Sequence, residues 1–303
     1  MELKLSDINH FENLDFLAKQ VVEGFITGLH KSPYHGFSIE FSEHRLYNAG
    51  ESTRHIDWKV YAKTDRLYVK RFEEETNLRC QLVIDASNSM YYPEGKELSK
   101  IRFSIFGSAC LAYLVQKQRD GFGLTYFSDA IEYQSETKSS SGHLSVVLKE
   151  LNKLAKRDKR QYSQSNITNT LEHLANTLHR RSLVVLFSDM FDSSDNPDAL
   201  FKSLLHLKHR KHEVVIFHVH DKTTEVDFQF DNKPYTFVDV ETGERIKVVP
   251  EQLKAHFLKS NLQYMNDVKM KCEQFKITLV DVDINEGWEK IMLAFLVKRA
   301  KMR

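Results

Sequence analysis

No stretch of the chain approaches the ~20 consecutive apolar positions that a membrane-spanning helix needs. Cysteine is scarce as well. Cys80, Cys110 and Cys272 lie far apart and form no metal-type pair, which argues against a disulfide framework and suits a reducing compartment. The opening residues Met1-Glu2-Leu3-Lys4-Leu5-Ser6-Asp7 lack the apolar core of a signal peptide, so a cytoplasmic protein is the expectation. Net charge is nearly missing: 43 Lys and Arg stand against 42 Asp and Glu, giving a formal +1. That balance excludes strong global attraction to nucleic acid or anionic lipid. Two local basic runs, at 153–160 and 208–211, sit at the polar ends of helical patterns and read as solvated helix ends. Also lacking are a Gly-x-Ser-x-Gly elbow, a phosphate-binding glycine loop and a His-Glu-x-x-His helix, and no cysteine has a catalytic setting. Non-enzymatic function is therefore expected.

What is there is enough chain, 303 residues, for one large α/β domain with additions. Leu14, Leu17, Val21, Phe25 and Leu29 recur at helical spacing, so the first 30 residues predict an amphipathic helix, broken by Ser32-Pro33-Tyr34-His35-Gly36. Residues 37 to 79 carry short alternating runs such as Leu67-Tyr68-Val69-Lys70-Arg71-Phe72 and predict a small β-rich segment. From residue 80 short apolar runs alternate with helical patterns. Strands are expected at 81–84, 123–127, 182–187, 214–219 and 277–282. Helices are expected at 98–117, 144–154, 171–178, 197–209 and 287–301. Continuous apolar strands between helices imply a doubly wound, mainly parallel sheet with helices on both faces. Residues 222–249, with the turn Glu241-Thr242-Gly243-Glu244, read as a β-hairpin insertion. The expected division is 1–79, packed on the main domain, and 80–303.

In open α/β sheets ligands sit outside the carboxyl ends of the strands. The first strand ends in Asp85-Ala86-Ser87-Asn88-Ser89, the third in Ser188-Asp189-Met190-Phe191-Asp192, and Ser165-Asn166-Ile167-Thr168 precedes a helix between them. Carboxylate and hydroxyl oxygens without sulfur or imidazole suit a hard divalent cation. In Asp85-x-Ser87-x-Ser89, alternate residues of one loop can project toward one point. Few carboxylates leave such an ion under-neutralised and receptive to an acidic group. Without metal, Asp85 and Asp189 are expected to lie close, uncompensated, and to repel.

These loops resemble the metal-ion-dependent adhesion site of von Willebrand factor A domains. By that resemblance Asp85, Ser87 and Ser89 match the first loop and Asp189 the last. The middle-loop hydroxyl, normally Thr, falls on Ser165 by counting back from Leu171, with Thr168 as fallback. The implied ion is one Mg²⁺ or Mn²⁺. A second resemblance rests on Arg45-Leu46-Tyr47-Asn48-Ala49-Gly50-Glu51, Arg54-His55-Ile56-Asp57-Trp58-Lys59 and Leu67-Tyr68-Val69-Lys70-Arg71-Phe72. This block is similar to the bacterial family catalogued as domain of unknown function 58, in which it precedes a von Willebrand A-like domain. That resemblance implies a MoxR-type AAA+ ATPase, or its client, as partner, and an adaptor or co-chaperone role.

Plainer readings stand beside these. Asp85 and Ser89 also suit simple helix capping. Asp192 fits a contact to the ion's waters, or a turn before the helix at Pro197. Arg45, Arg54, Asp57, Trp58 and Lys59 serve equally as a docking face or as a structural charge network. His35, His44 and His55 have no ligand spacing, and His218 and His220, on one strand face, read as structural. Two further functions compete: a Mg²⁺-dependent phosphoester hydrolase at the same loops, and a nucleic-acid-binding module using the basic runs.

Overall fold

The computed structural model describes residues 14–30, 45–46, 58–69, 78–94, 98–157, 165–190, 197–239 and 243–301. The stripe beginning at Leu14 forms a helix, α1 (Leu14–His30), whose Leu14, Ala18 and Val22 are fully buried in the main core. Next, β1 (Arg45–Leu46) pairs antiparallel with β2 (Tyr68–Val69). Between them Trp58–Thr64 is a helix, α2, where the sequence reading expects strands and turns. Lys59, Ala62 and Lys63 favour helix, and the strand preference of Trp58, Val60 and Tyr61 depends on a packed sheet surface.

The alternation from residue 79 is then read out in full. It runs β3 (Arg79–Asp85), α3 (Lys100–Lys117), β4 (Gly121–Phe127), β5 (Ile131–Gln134), α4 (Ser141–Ala155), α5 (Ile167–Thr177), β6 (Leu183–Ser188), α6 (Pro197–His209) and β7 (Glu213–His220). After β7 come the hairpin strands β8 (Tyr235–Val238) and β9 (Arg245–Val248), then α7 (Pro250–Gln274), β10 (Thr278–Asp283) and α8 (Glu289–Lys301). Six strands form one sheet in the order β10-β7-β6-β3-β4-β5, parallel except for β5, which runs against β4 at the edge. This is the doubly wound, mainly parallel sheet that the sequence implies. The hairpin lies where expected, with Tyr235 opposite Val248, and Gly243 supplies the positive φ of 78° that glycine tolerates.

Period-two alternation divides the core between the two faces of the sheet. Cys80, Leu82, Ile84, Leu183, Val185 and Phe187 pack with α1, α3, α4 and α8. Val83, Val184, Leu186, Val214 and Ile216 pack with α5, α6 and α7. Helix α3 is apolar nearly all round because it is enclosed: Phe103, Phe106, Ala109, Leu111 and Leu114 are all fully buried. The chain leaves β3 for α3 on one face and β6 for α6 on the other. The strand order therefore reverses between β3 and β6, and their carboxyl ends flank a topological switch point, where open α/β sheets bind ligands.

The sequence reading contains neither β5 nor α7. Strand β5 has four residues and only half-buried positions at best. Helix α7 has 25 residues, but only Pro250, Val268 and Cys272 are buried, so no continuous apolar stripe announces it. Among the described residues, no helix is long and apolar enough to cross a membrane.

Candidate functional site

Asp85 closes β3 at the switch point and is fully buried. A carboxylate there needs partners, and three chain segments supply them. Ser87 N donates to Asp85 Oδ1 at 2.9 Å. Ser188 Oγ, at the end of β6, donates to Asp85 Oδ2 at 2.9 Å. Ser165 Oγ, just before α5, donates to the same Oδ2 at 3.2 Å. The Ser87 and Ser89 hydroxyls lie 3.2 Å apart, so the alternate residues of the first loop do project toward one region. The 3-10 turn Asn88–Tyr91 sets this spacing, with Met90 N donating to Ser87 O at 3.1 Å.

Ser165 thus reaches the cluster from the middle loop. Asn166 caps α5 behind it, accepting from Asn169 N at 3.3 Å, and Asn166 N donates to Ser128 O at 2.8 Å, tying the loop to the end of β4. The fallback hydroxyl, Thr168, lies half-buried in the first turn of α5. After β6, Met190 takes a φ of 60°, a conformation that is uncommon for a residue with a side chain. Two bonds hold it: Met190 N donates to Ser188 Oγ at 2.9 Å, and Tyr264 OH of α7 donates to Met190 O at 2.6 Å. The turn that presents Asp189 is therefore fixed from both sides.

Asp189 is 1% exposed and close enough to Asp85 to act on its charge. Burial first, and Asp189 second, push the Asp85 carboxyl up to about 6, while hydrogen bonds from Ser87 and Ser188 work the other way. The repulsion expected between the two carboxylates is present. The expectation that both are uncompensated is not met. Lys100 Nζ, at the start of α3, donates to Asp189 Oδ2 at 2.9 Å and to Glu225 Oε1 at 2.5 Å. Burial lowers the Lys100 pKa, but the two carboxylates more than offset it and hold the ammonium charged. Glu225 is set in place by the π-helical turn Lys222–Val226, with Asp221 N donating to its Oε2 at 2.8 Å.

Sequence reasoning missed Lys100, Ser188 and Glu225. Lys100 leaves a signal: with Ser104 and Ser108 it makes a polar row at four-residue spacing in an otherwise apolar helix, and all three are buried. Ser188 stands next to a residue already singled out. Glu225 comes from a turn no motif marks. Of the residues weighed at the start, Asp192, Arg54 and Asp57 lie outside the described residues, as do His35, His44 and His55. For Arg45, Trp58 and Lys59 only the backbone is described.

Residues 43–265, well over half of the chain, match the family described as "Protein of unknown function DUF58". Uncharacterized proteins of Mycobacterium tuberculosis (Rv1480) and Mycobacterium bovis (Mb1516) are each 34% identical to it over 77 residues, 25% of this chain and 24% of theirs. The matched stretch thus spans about a quarter of those relatives. Among solved structures, a conserved hypothetical protein, BatB, from Bacteroides thetaiotaomicron aligns with a TM-score of 0.46 at 13% identity, over 74% of this chain and 98% of that one. The SpRpn10 VWA domain aligns with a TM-score of 0.41 at 13% identity, over 74% and 96%. At those values the likeness adds nothing to the topology already described.

Proposed function

The chain belongs to the DUF58 family of proteins of unknown function, and on that premise we propose that it is a protein-interaction module whose strand-end site holds one divalent cation. Asp85, Ser87, Ser89, Ser165 and Asp189 would hold Mg²⁺ or Mn²⁺, with water filling the remaining positions. A carboxylate on a partner then takes the open position. The ion supplies the charge that attracts that carboxylate, and the three loops select the partner by shape. No catalytic step is assigned, and the protein acts by binding. By family resemblance the partner is a MoxR-type AAA+ ATPase or its client, met in the cytoplasm, with this chain as adaptor or co-chaperone.

One observation carries this reading: a fully buried Asp85 at the switch point accepts from three separate segments, through the Ser87 backbone N–H and the Ser165 and Ser188 hydroxyls, and the side chains that would hold an ion there offer oxygen alone. Charge counting supports it. Asp85, Asp189 and Glu225 outnumber the single ammonium of Lys100 when ionised, so the cluster is left net negative and favours a cation. A helix-capping role for Asp85 and Ser89 explains neither the burial of Asp85 nor its contacts across to Ser165 and Ser188.

Isothermal titration of EDTA-stripped protein with Mg²⁺ and Mn²⁺ tests the reading. Saturable one-site binding, lost in Asp85→Ala, is the expected result, followed by metal-dependent capture of an acidic partner. No heat and no metal-induced rise in melting temperature would leave the fold standing and remove the mechanism.

A further inference from the structure

Strands β7 and β10 run parallel, with His218 opposite Asp281 and His220 opposite Asp283. Alternation places all four on the face that carries Val214 and Ile216, which α7 covers. The sequence reading treats the two histidines as structural, yet their surroundings are those of a ligand set. His218 Nδ1 lies 3.0 Å from Asp281 Oδ1, and the two imidazole rings are 5.0 Å apart between centroids. One ligand-capable atom from each of His218, His220 and Asp281 lies within 4.8 Å of the others. His220 Nδ1 is buried and meets no hydrogen-bond partner among the described residues. The group opens on a cavity of about 320 Å³, whose wall also includes Glu225, Asp283, Leu262 and Met265.

We propose that His218, His220 and Asp281 form a second metal site, separate from the strand-end oxygen cluster, for one borderline divalent ion of the Zn²⁺ class. Two imidazoles and one carboxylate suit Zn²⁺, Co²⁺ or Ni²⁺ and not Mg²⁺, and three protein ligands leave a position open for water or a ligand from the cavity. Tetrahedral zinc with bonds of ~2.0–2.1 Å sets its ligand atoms roughly 3.3 Å apart, close to the His218–Asp281 separation. The wider spacing to His220 closes by side-chain rotation into the adjoining cavity. A simple His–Asp ion pair accounts for the contact between His218 and Asp281 but leaves the His220 nitrogen and the cavity unused. Glu225 lines this cavity and also binds Lys100, which binds Asp189, so one acidic side chain stands between the two sites.

The experiment is Co²⁺ and Zn²⁺ titration of the EDTA-stripped full chain. The expected result is one Co²⁺ per chain with visible d–d absorption, displaced by Zn²⁺, and unchanged in Asp85→Ala, which separates it from the oxygen site. His220→Gln abolishes the absorption. Asp281→Asn weakens Co²⁺ binding about tenfold or more. Because the Asp281 side chain is 61% exposed, Asp281→Asn leaves the fold intact even where His220→Gln does not. Absence of a Co²⁺ band in the wild type overturns the proposal. So does wild-type affinity in Asp281→Asn, whatever His220→Gln does.

Discussion

Lys100 Nζ lies 2.9 Å from Asp189 Oδ2, and each side chain is 1% exposed. The lysine opens α3, where the helix dipole disfavours a cation, so its position is not one that helix energetics choose. What holds it there is the pair of carboxylates, Asp189 from the end of β6 and Glu225 from the turn after β7. One ammonium thus joins three segments, the start of α3, the end of β6 and the turn after β7, at the carboxyl edge of the sheet. It also sets the charge of the cation site, by neutralising one of the two acidic residues the site would use.

Removing that ammonium should have two separable effects. Lys100→Met keeps the length and apolar stem but strands Asp189 as a buried charge, a change that typically costs about 3–5 kcal/mol. In EDTA the variant should unfold at clearly lower urea than the wild type. Saturating Mg²⁺ should restore part of the loss, and its affinity by calorimetry should exceed that of the wild type because one positive charge has left the site. A variant that in EDTA matches the wild-type urea midpoint would show that Asp189 does not depend on Lys100.

The fold was legible because the buried parallel strands carry continuous apolar runs: 183–187 and 214–217 are bounded by polar residues and separated by a helix whose limits, Pro197–His209, the pattern gives directly. Strand β5 and helix α7 escaped because neither buries a periodic face. At the site, the loops after β3 and β6 were legible from their position and oxygen chemistry. Lys100 and Glu225 were not, since their role depends on a contact spanning 125 positions in sequence, and local pattern carries no record of such pairs. The His218 and Asp281 pairing has the same cause: it exists only through the register of β7 on β10.

Trp288 links the terminal helix to the helix that carries Lys100. Its ring lies 5.3 Å from Phe103 and 4.4 Å from Phe106, and its Nε1 donates to Phe103 O at 3.3 Å. The side chain is 5% exposed, so Trp288→Ala removes an anchor that α3 and α8 share. The expected loss is about 3–5 kcal/mol, read as a lower urea midpoint. Because α3 also positions Lys100, Mg²⁺ affinity should change in the same variant. Undiminished stability would mean that α8 does not depend on this contact.

Asp85 gives the site a pH signature whose sign is fixed by its environment. Burial and then Asp189 raise its pKa from the ordinary 3.8 to about 6, so the folded chain holds that proton more tightly than the unfolded chain. In the window between those two values the native state binds more protons, and stability falls as pH rises through it. Above that window the penalty is fully present; below it, absent. A divalent cation competes with the proton for the same oxygens, so Mg²⁺ should stabilise the protein at about pH 7 and have little effect at about pH 4. Asp85→Asn removes the titrating group without changing its shape, and should flatten that part of the pH dependence while losing the Mg²⁺ response. Urea midpoints for both proteins, with EDTA and with Mg²⁺, give the comparison. Equal Mg²⁺ stabilisation at both pH values, or in both proteins, would place the cation elsewhere than at Asp85.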